Sequence, residues 1–274
     1  MTIAKDTLRI LEEGQYHSSK GTLIEVANAL KKCLSHTTYF DSETLVHIRD
    51  NILKQDQIYP ATEFEVKNET TLTGTERTSK LDGIIGVLNF ASAKNPGGGF
   101  LKGAHAQEES LARSSGLYRS LLKGREYYER HRLQKSCLYS DRMIYSPGCP
   151  VFRQDKGNLL DKPYLVDFLT SPAPNAGVVK RQEPTHLNSI EEVLQERGSK
   201  VLGLFAHHGC DCLVLGAWGC GVFQNDPAMV AEMFYNFLSP EGVFFGRFKK
   251  VLFSVLDKSK DEKNYLEFKK RFMS

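Results

Sequence analysis

The residues best able to do chemistry in this chain lie within one short segment, GGGFLKGAHAQEE. Gly97, Gly98 and Gly99 are followed, seven residues on, by Gln107, Glu108 and Glu109. Three consecutive glycines add no packing, so their use is backbone freedom or close approach to a ligand. Their N–H groups could form an anion nest for a diphosphate, although a bare glycine run reads equally well as a flexible turn. The QEE run opens an amphipathic helical stretch carrying Leu111, Leu117, Leu121 and Leu122. Acidic residues in a first helical turn are favoured by the helix dipole, which alone would explain both glutamates. Beside a glycine loop the pair takes on a second meaning. A carboxyl group held against a phosphate-bearing ligand can protonate a glycosidic oxygen as an oxocarbenium ion develops. Glu109 is the expected acid/base, with a pKa raised by partial burial beside Glu108. Glu108, about 100° away around the helix, is expected to orient sugar hydroxyls or the acid itself.

A second loop, in LVLGAWGCGVFQNDPAMVAEMF (213–234), again joins an apolar run to a helix, with Asn225 or Asp226 as cap and Pro227 at the first helical position. Gly216, Gly219 and Gly221 ahead of that helix suit phosphate binding. Their GxxGxG spacing is not the GxGxxG dinucleotide fingerprint, so no Rossmann site is read here. Phe223 either stacks on a base or ribose or packs under the loop, and Trp218, the single tryptophan, is expected to pack. A third loop, DFLTSPAPNAG (167–177), reads first as rigid punctuation after a strand. His105 lacks any neighbour to orient it as a base.

These loops must be held by a sheet. Apolar runs at 64–66, 84–90, 142–147, 164–174, 212–219 and 251–256 alternate with helical candidates at 108–123, 188–208, 226–238 and 260–271. Nearly all-apolar strands belong inside a sheet covered on both faces, and alternation with helices implies a layered α/β fold. Three runs end at Asn89, Ser171 and Gly216 and pass straight into loops, which places one crevice at the carboxyl ends of the strands. Apolar positions at helical spacing predict helices over 2–13 and 20–34. The chain therefore divides into an N-terminal helical segment (1–60) and a catalytic domain (61–274).

Composition restricts the alternatives. The 36 basic and 33 acidic residues nearly cancel, which argues against a dedicated nucleic-acid binder. No apolar stretch approaches the roughly 18 residues of a membrane span. The N-terminus lacks the apolar core of a signal peptide, so a cytoplasmic protein with six reduced cysteines is expected. Cys210 and Cys212 beside His207 and His208 fall short of a zinc site, because a second ligand pair is missing. Nothing suggests a coiled coil or an exposed apolar stripe, and a monomer is expected.

The sequence resembles the bacterial-type (microbial) poly(ADP-ribose) glycohydrolases, a branch of the macrodomain superfamily. The likeness rests on GGG, seven residues and QEE, and on ordered blocks: TT at 70–71, LNFASAKNPGGGF at 88–100, AQEESLARSSGLY at 106–118, YSP at 145–147, SPAPN at 171–175 and GAWGCGVFQND at 216–226. It runs from about residue 60 to 256 and implies a three-layer α/β/α sandwich with a mixed central sheet and an N-terminal helical extension. It also implies hydrolysis of ribose–ribose O-glycosidic bonds of poly(ADP-ribose) to release ADP-ribose, with neither metal nor cofactor. By the same resemblance Glu109 is the general acid/base and Glu108 contacts ribose hydroxyls. Asn89 lies beside the distal ribose, and Gln107 belongs to the binding motif. Gly97, Gly98 and Gly99 on one side and Gly219, Cys220, Gly221, Val222 and Phe223 on the other hold the diphosphate. Removal of single ADP-ribosyl units from macromolecules, and non-catalytic ADP-ribose binding, are the alternatives on the same fold.

Overall fold

The computed structural model describes residues 2–273. In chain order the elements are α1 (Ile3–Glu13), β1 (Gln15–His17), β2 (Leu23–Glu25), α2 (Ala27–His36), β3 (Thr38–Phe40), α3 (Ser42–Leu53), β4 (Glu63–Lys67), α4 (Thr71–Thr78) and β5 (Ile85–Phe90). Then come α5 (Gln107–Ser114), α6 (Leu117–Leu121), α7 (Arg125–Leu133), β6 (Met143–Arg153), β7 (Leu159–Ser171), α8 (Ala176–Gln182), α9 (Ser189–His207), β8 (Cys212–Leu215), α10 (Pro227–Leu238), β9 (Lys250–Ser254) and α11 (Lys263–Phe272). Short 3-10 turns occupy Phe100–Lys102 and Pro184–His186.

Seven strands form one mixed sheet in the order β3-β6-β7-β5-β8-β9-β4. β6 runs antiparallel to both its neighbours, while β7, β5, β8, β9 and β4 are mutually parallel. β5, the central strand, is buried along nearly its whole length, as expected of a strand with helices on both faces. Side-chain alternation divides the core in two. Leu88, Leu169, Leu213 and Phe253 face α3, α9, α10 and α11. Val87, Phe168, Val214 and Leu252 face α2, α4, α5, α6 and α7. The architecture is the expected α/β/α sandwich.

The N-terminal segment departs from the expected pair of helices. Residues 15–17 and 23–25 form a hairpin, and α2 begins only at Ala27. β3 then pairs with β6 as an edge strand of the main sheet. The first 60 residues are therefore neither purely helical nor separate from that sheet, and Tyr16, Val26 and Leu30 pack against Phe152 of β6. The helix expected over 108–123 is also interrupted. Ser115 is extended and bridges Val151, and a Cβ on Gly116 would come within 2.9 Å of Leu30 and 3.2 Å of Cys149. Contact with the N-terminal segment and β6 overrides local helical preference there.

Candidate active site

β5 and the N-terminus of α5 build the centre of the site. Ala106, at the N-cap of α5, has no side-chain acceptor. Glu109, at the third helical position, supplies the returning half of a capping box, its Oε2 accepting the Ala106 N–H at 3.2 Å. Its Oε1 accepts the Gly99 N–H at 2.8 Å. Gly98 sits at φ +58°, and a Cβ there would fall 2.3 Å from Glu109 Oε1 and 3.2 Å from Glu108 Oε2. The glycine run is thus a backbone wall behind both carboxyl groups.

The N–H groups of Gly97, Gly98 and Gly99, expected as a diphosphate nest, turn towards the protein. Gly98 N–H donates to Asn95 O at 3.0 Å, Gly99 N–H is taken by Glu109, and the Gly97 N–H favours the charged form of Glu108. None of the three lines the cleft. The carboxylates about ten residues downstream occupy the N–H groups first, and the loop positions the glutamates.

Glu108 is buried, 3% exposed. Its Oε2 accepts the Ser92 N–H at 2.7 Å and its Oε1 accepts Asn89 Nδ2–H at 3.3 Å. Burial nevertheless dominates and pushes its carboxyl up to about 8, with Glu109 adding to the rise and the Ser92 and Asn89 donors opposing it. Glu108 is neutral at pH 7. Asn89, at the end of β5, is held by Thr170 at 3.1 Å, and its Oδ1 is buried without a protein partner. A buried carbonyl left unpaired is costly, so this oxygen offers a place for an incoming hydroxyl.

Gln107 lines the cleft and spends its amide on the protein. Its Nε2 donates to Leu88 O at 2.8 Å and to Thr71 Oγ1 at 3.2 Å, and its Oε1 accepts the Phe90 N–H at 2.9 Å. The registered β5–β8 pairs end at Val87 and Val214. Beyond them the Gln107 amide takes the place of a strand peptide on β5 and fixes the start of α5 against Asn89.

Across a cleft of about 510 Å³ lies the loop between β8 and α10, with Gly219, Gly221, Val222 and Phe223 in the lining. Among the described residues, the N–H groups of Gly221, Val222 and Phe223 have no protein partner. Three successive free N–H groups make an anion-binding concavity. The loop is tied down at both ends. Asn225 Nδ2 donates to Gly219 O at 3.1 Å and Pro174 O at 2.8 Å, and Asp226 caps α10 through the Ala228 N–H. Cys220 departs from its expected place: its N–H donates to Ala217 O at 3.1 Å, its thiol packs inward with a pKa raised by burial, and it does not line the cleft. Trp218 packs as expected, fully buried, with Nε1 donating to Ser171 O at 3.2 Å. His208 stacks on Tyr145 with centroids 3.7 Å apart, and Cys210 pairs with the Tyr145 hydroxyl, so both serve the core.

Sequence reasoning missed several residues that shape the site. Thr70 caps α4 and meets Asp155 from the turn between β6 and β7, and both line the cleft. The Thr-Thr pair before a helix was a readable cap signal; nothing local marks Asp155. Leu72, Phe90, Val255 and Leu256 give one end of the cleft an apolar wall. Arg197 of α9, 1% exposed, binds Asp141 at 2.9 Å and donates to Pro172 O at 2.8 Å, fixing the loop after β7.

Comparison with known proteins agrees with this geometry. The family described as microbial-type PARG, catalytic domain, matches residues 4–154. The crystal structure of poly(ADP-ribose) glycohydrolase (PARG) from Thermomonospora curvata is 46% identical, with a TM-score of 0.94 and 98% of each chain covered. Its complex with the inhibitor ADP-HPD gives a TM-score of 0.92 at 46% identity, again over 98% of each chain. The Deinococcus radiodurans enzyme in complex with ADP-ribose is 43% identical, with a TM-score of 0.84 over 88% of this chain and 96% of that one. Curated proteins give no match. With the family matched over more than half its length and solved relatives alike from end to end, the chain belongs to the microbial-type PARG catalytic-domain family, the poly(ADP-ribose) glycohydrolases.

Proposed function

We propose that this protein hydrolyses the ribose–ribose O-glycosidic bond of poly(ADP-ribose) and releases ADP-ribose, with Glu109 as general acid and base. The observation that carries the reading is a pair of buried carboxyl groups on one wall of the cleft, facing three free N–H groups on the other. The N–H groups of Gly221, Val222 and Phe223 suit a diphosphate. The apolar end at Leu72, Phe90 and Leu256 suits a purine, and Asn89 Oδ1 with the neutral Glu108 suits ribose hydroxyls.

The chemistry needs two proton transfers through one carboxyl group. Protonated Glu109 donates to the leaving ribose oxygen as the bond to the anomeric carbon breaks. The carboxylate so formed is held by the Gly99 and Ala106 N–H groups. It then takes a proton from the water whose oxygen attacks the anomeric carbon, which regenerates the acid. A neutral Glu108 leaves one negative charge in the site during this cycle. Above about pH 8 its ionisation places a second charge beside the acid and the diphosphate, so turnover is expected to fall there.

The test is incubation with labelled poly(ADP-ribose) and separation of products by size. Free ADP-ribose is expected. Intact polymer, despite measurable ADP-ribose binding, would move the assignment to a binding module or to removal of single ADP-ribosyl units.

A further inference from the structure

Beyond the residues that line the cleft stands a group of exposed cations, Lys94, Arg132 and Lys135, that the proposed mechanism does not use. The apolar end of the cleft lies towards β9, at Val255 and Leu256, and its catalytic end lies over β5. The chain from Ser92 to Gly98 leaves the Glu108 carboxyl at Ser92 and returns to it at Gly97 and Gly98. Ser92 lines the cleft and binds Glu108, its Oγ accepts the Lys94 and Asn95 N–H groups, and the Lys94 side chain is exposed. Arg132, at the end of α7, donates from Nε to Lys94 O at 3.0 Å, bringing the two cations together. The turn after α7 carries exposed Lys135 and leads to Tyr139, which meets Phe223 of the anion-binding loop with ring centroids 6.1 Å apart.

Neighbouring cations on this face are already spent. Arg125 pairs with Glu129 and Arg130 with Glu126, whereas Lys94, Arg132 and Lys135 have no carboxylate partner among the described residues. The nearby Glu183 is engaged by Ser136, the Cys137 N–H and His186. Asp155 instead stands by α4, next to Thr70, and lines the cleft there.

We propose that Lys94, Arg132 and Lys135 bind the diphosphate of the ADP-ribose unit on the leaving side of the scissile bond, so that the enzyme holds polymer across two units. The inference rests on the assigned glycohydrolase activity. A unit whose ribose has its anomeric carbon at Glu109 is joined through that carbon to the next unit, whose two phosphate charges follow within a few bonds. Three exposed cations without carboxylate partners are the complementary surface. Each exposed charge contact of this kind is expected to contribute about threefold to affinity.

The test compares poly(ADP-ribose) with an aryl ADP-riboside, whose leaving group carries no phosphate, across wild type and the triple variant Lys94→Ala/Arg132→Ala/Lys135→Ala. The expected result is a KM for polymer raised about thirtyfold, kcat and thermal unfolding nearly unchanged, and unaltered kinetics on the aryl substrate. The polymer KM of the triple variant should also lose most of its dependence on salt. Lys31→Ala/Lys32→Ala, on α2 away from the cleft, should leave the polymer KM unchanged. A polymer KM within twofold of wild type, or an equal rise on both substrates, overturns the proposal. A wild type that cleaves neither substrate would instead strike at the glycohydrolase activity and take this inference with it.

Discussion

Replacing Glu108 with glutamine should change how the stability of the protein depends on pH, and the size of the change follows from its burial. The Glu108 carboxyl rises from an ordinary 4.5 to about 8 in the fold. The native state therefore keeps a proton that the unfolded chain gives up above pH 4.5. Stability is highest below that value, falls as pH rises, and levels off once the native group has also ionised near pH 8. A shift of about 3.5 units corresponds to about 5 kcal/mol, or about 1.4 kcal/mol for each pH unit between those limits. Glu108→Gln has no such proton to keep. Near pH 5 the variant should be slightly less stable than wild type, because its amide cannot reproduce both the Ser92 and Asn89 contacts without a rearrangement. By pH 9 it should be more stable by several kcal/mol. Urea unfolding of both proteins at four values from pH 5 to 9 measures this directly. A wild-type-minus-variant difference that stays constant over that range would refute the claim that buried Glu108 is neutral at pH 7.

Three further perturbations probe the frame of the site. Gly98→Ala forces a side chain into a left-handed conformation, at about 1–2 kcal/mol, and directs its Cβ towards Glu109. We expect a folded protein with kcat reduced about a hundredfold, and near-normal turnover would show that the glycine wall does not position the acid. Gln107→Leu strands the Phe90 N–H and Leu88 O, and should cost about 2–3 kcal/mol in chemical denaturation while lowering kcat more than it raises KM. An effect confined to KM would return Gln107 to the ligand. Gly219→Ala would place a Cβ 2.4 Å from Asn225 Nδ2 and 2.5 Å from Ala173, at φ +76°. ADP-ribose affinity by calorimetry should fall at least tenfold, and unchanged affinity would argue against the anion site.

The sheet was legible because its strands are short apolar runs, and every run expected from 64–66 to 251–256 became a strand. The carboxyl-end loops after Asn89, Ser171 and Gly216 meet at one cleft because β7, β5 and β8 are neighbours and parallel. Elements fixed by tertiary contact were not legible. β3 has three residues and exists through its pairing with β6. The hairpin arms of β6 and β7 reach beyond their apolar cores, with a register shift between Ser146 and Cys149. The two glutamates stood out from residue type and spacing, but their division of labour did not. The rise at Glu108 depends on the depth of its burial, set against the Ser92 and Asn89 donors, none of which is local to QEE. The contacts of the glycine run were hidden for the same reason. Its N–H groups could be counted from sequence, while their acceptors, two carboxylates and a carbonyl, could be found only in the fold.

The most direct test of the central claim is Glu109→Gln, assayed for release of ADP-ribose from polymer and, separately, for ADP-ribose binding by calorimetry. The amide keeps the side-chain shape but can neither give up nor recover a proton. Turnover is therefore expected to fall by at least a thousandfold, with the dissociation constant for ADP-ribose changed only a fewfold. Turnover within tenfold of wild type would contradict the assignment of Glu109 as the acid. Loss of binding in step with loss of turnover would make it a ligand-holding residue, and the catalytic proton would have to come from elsewhere.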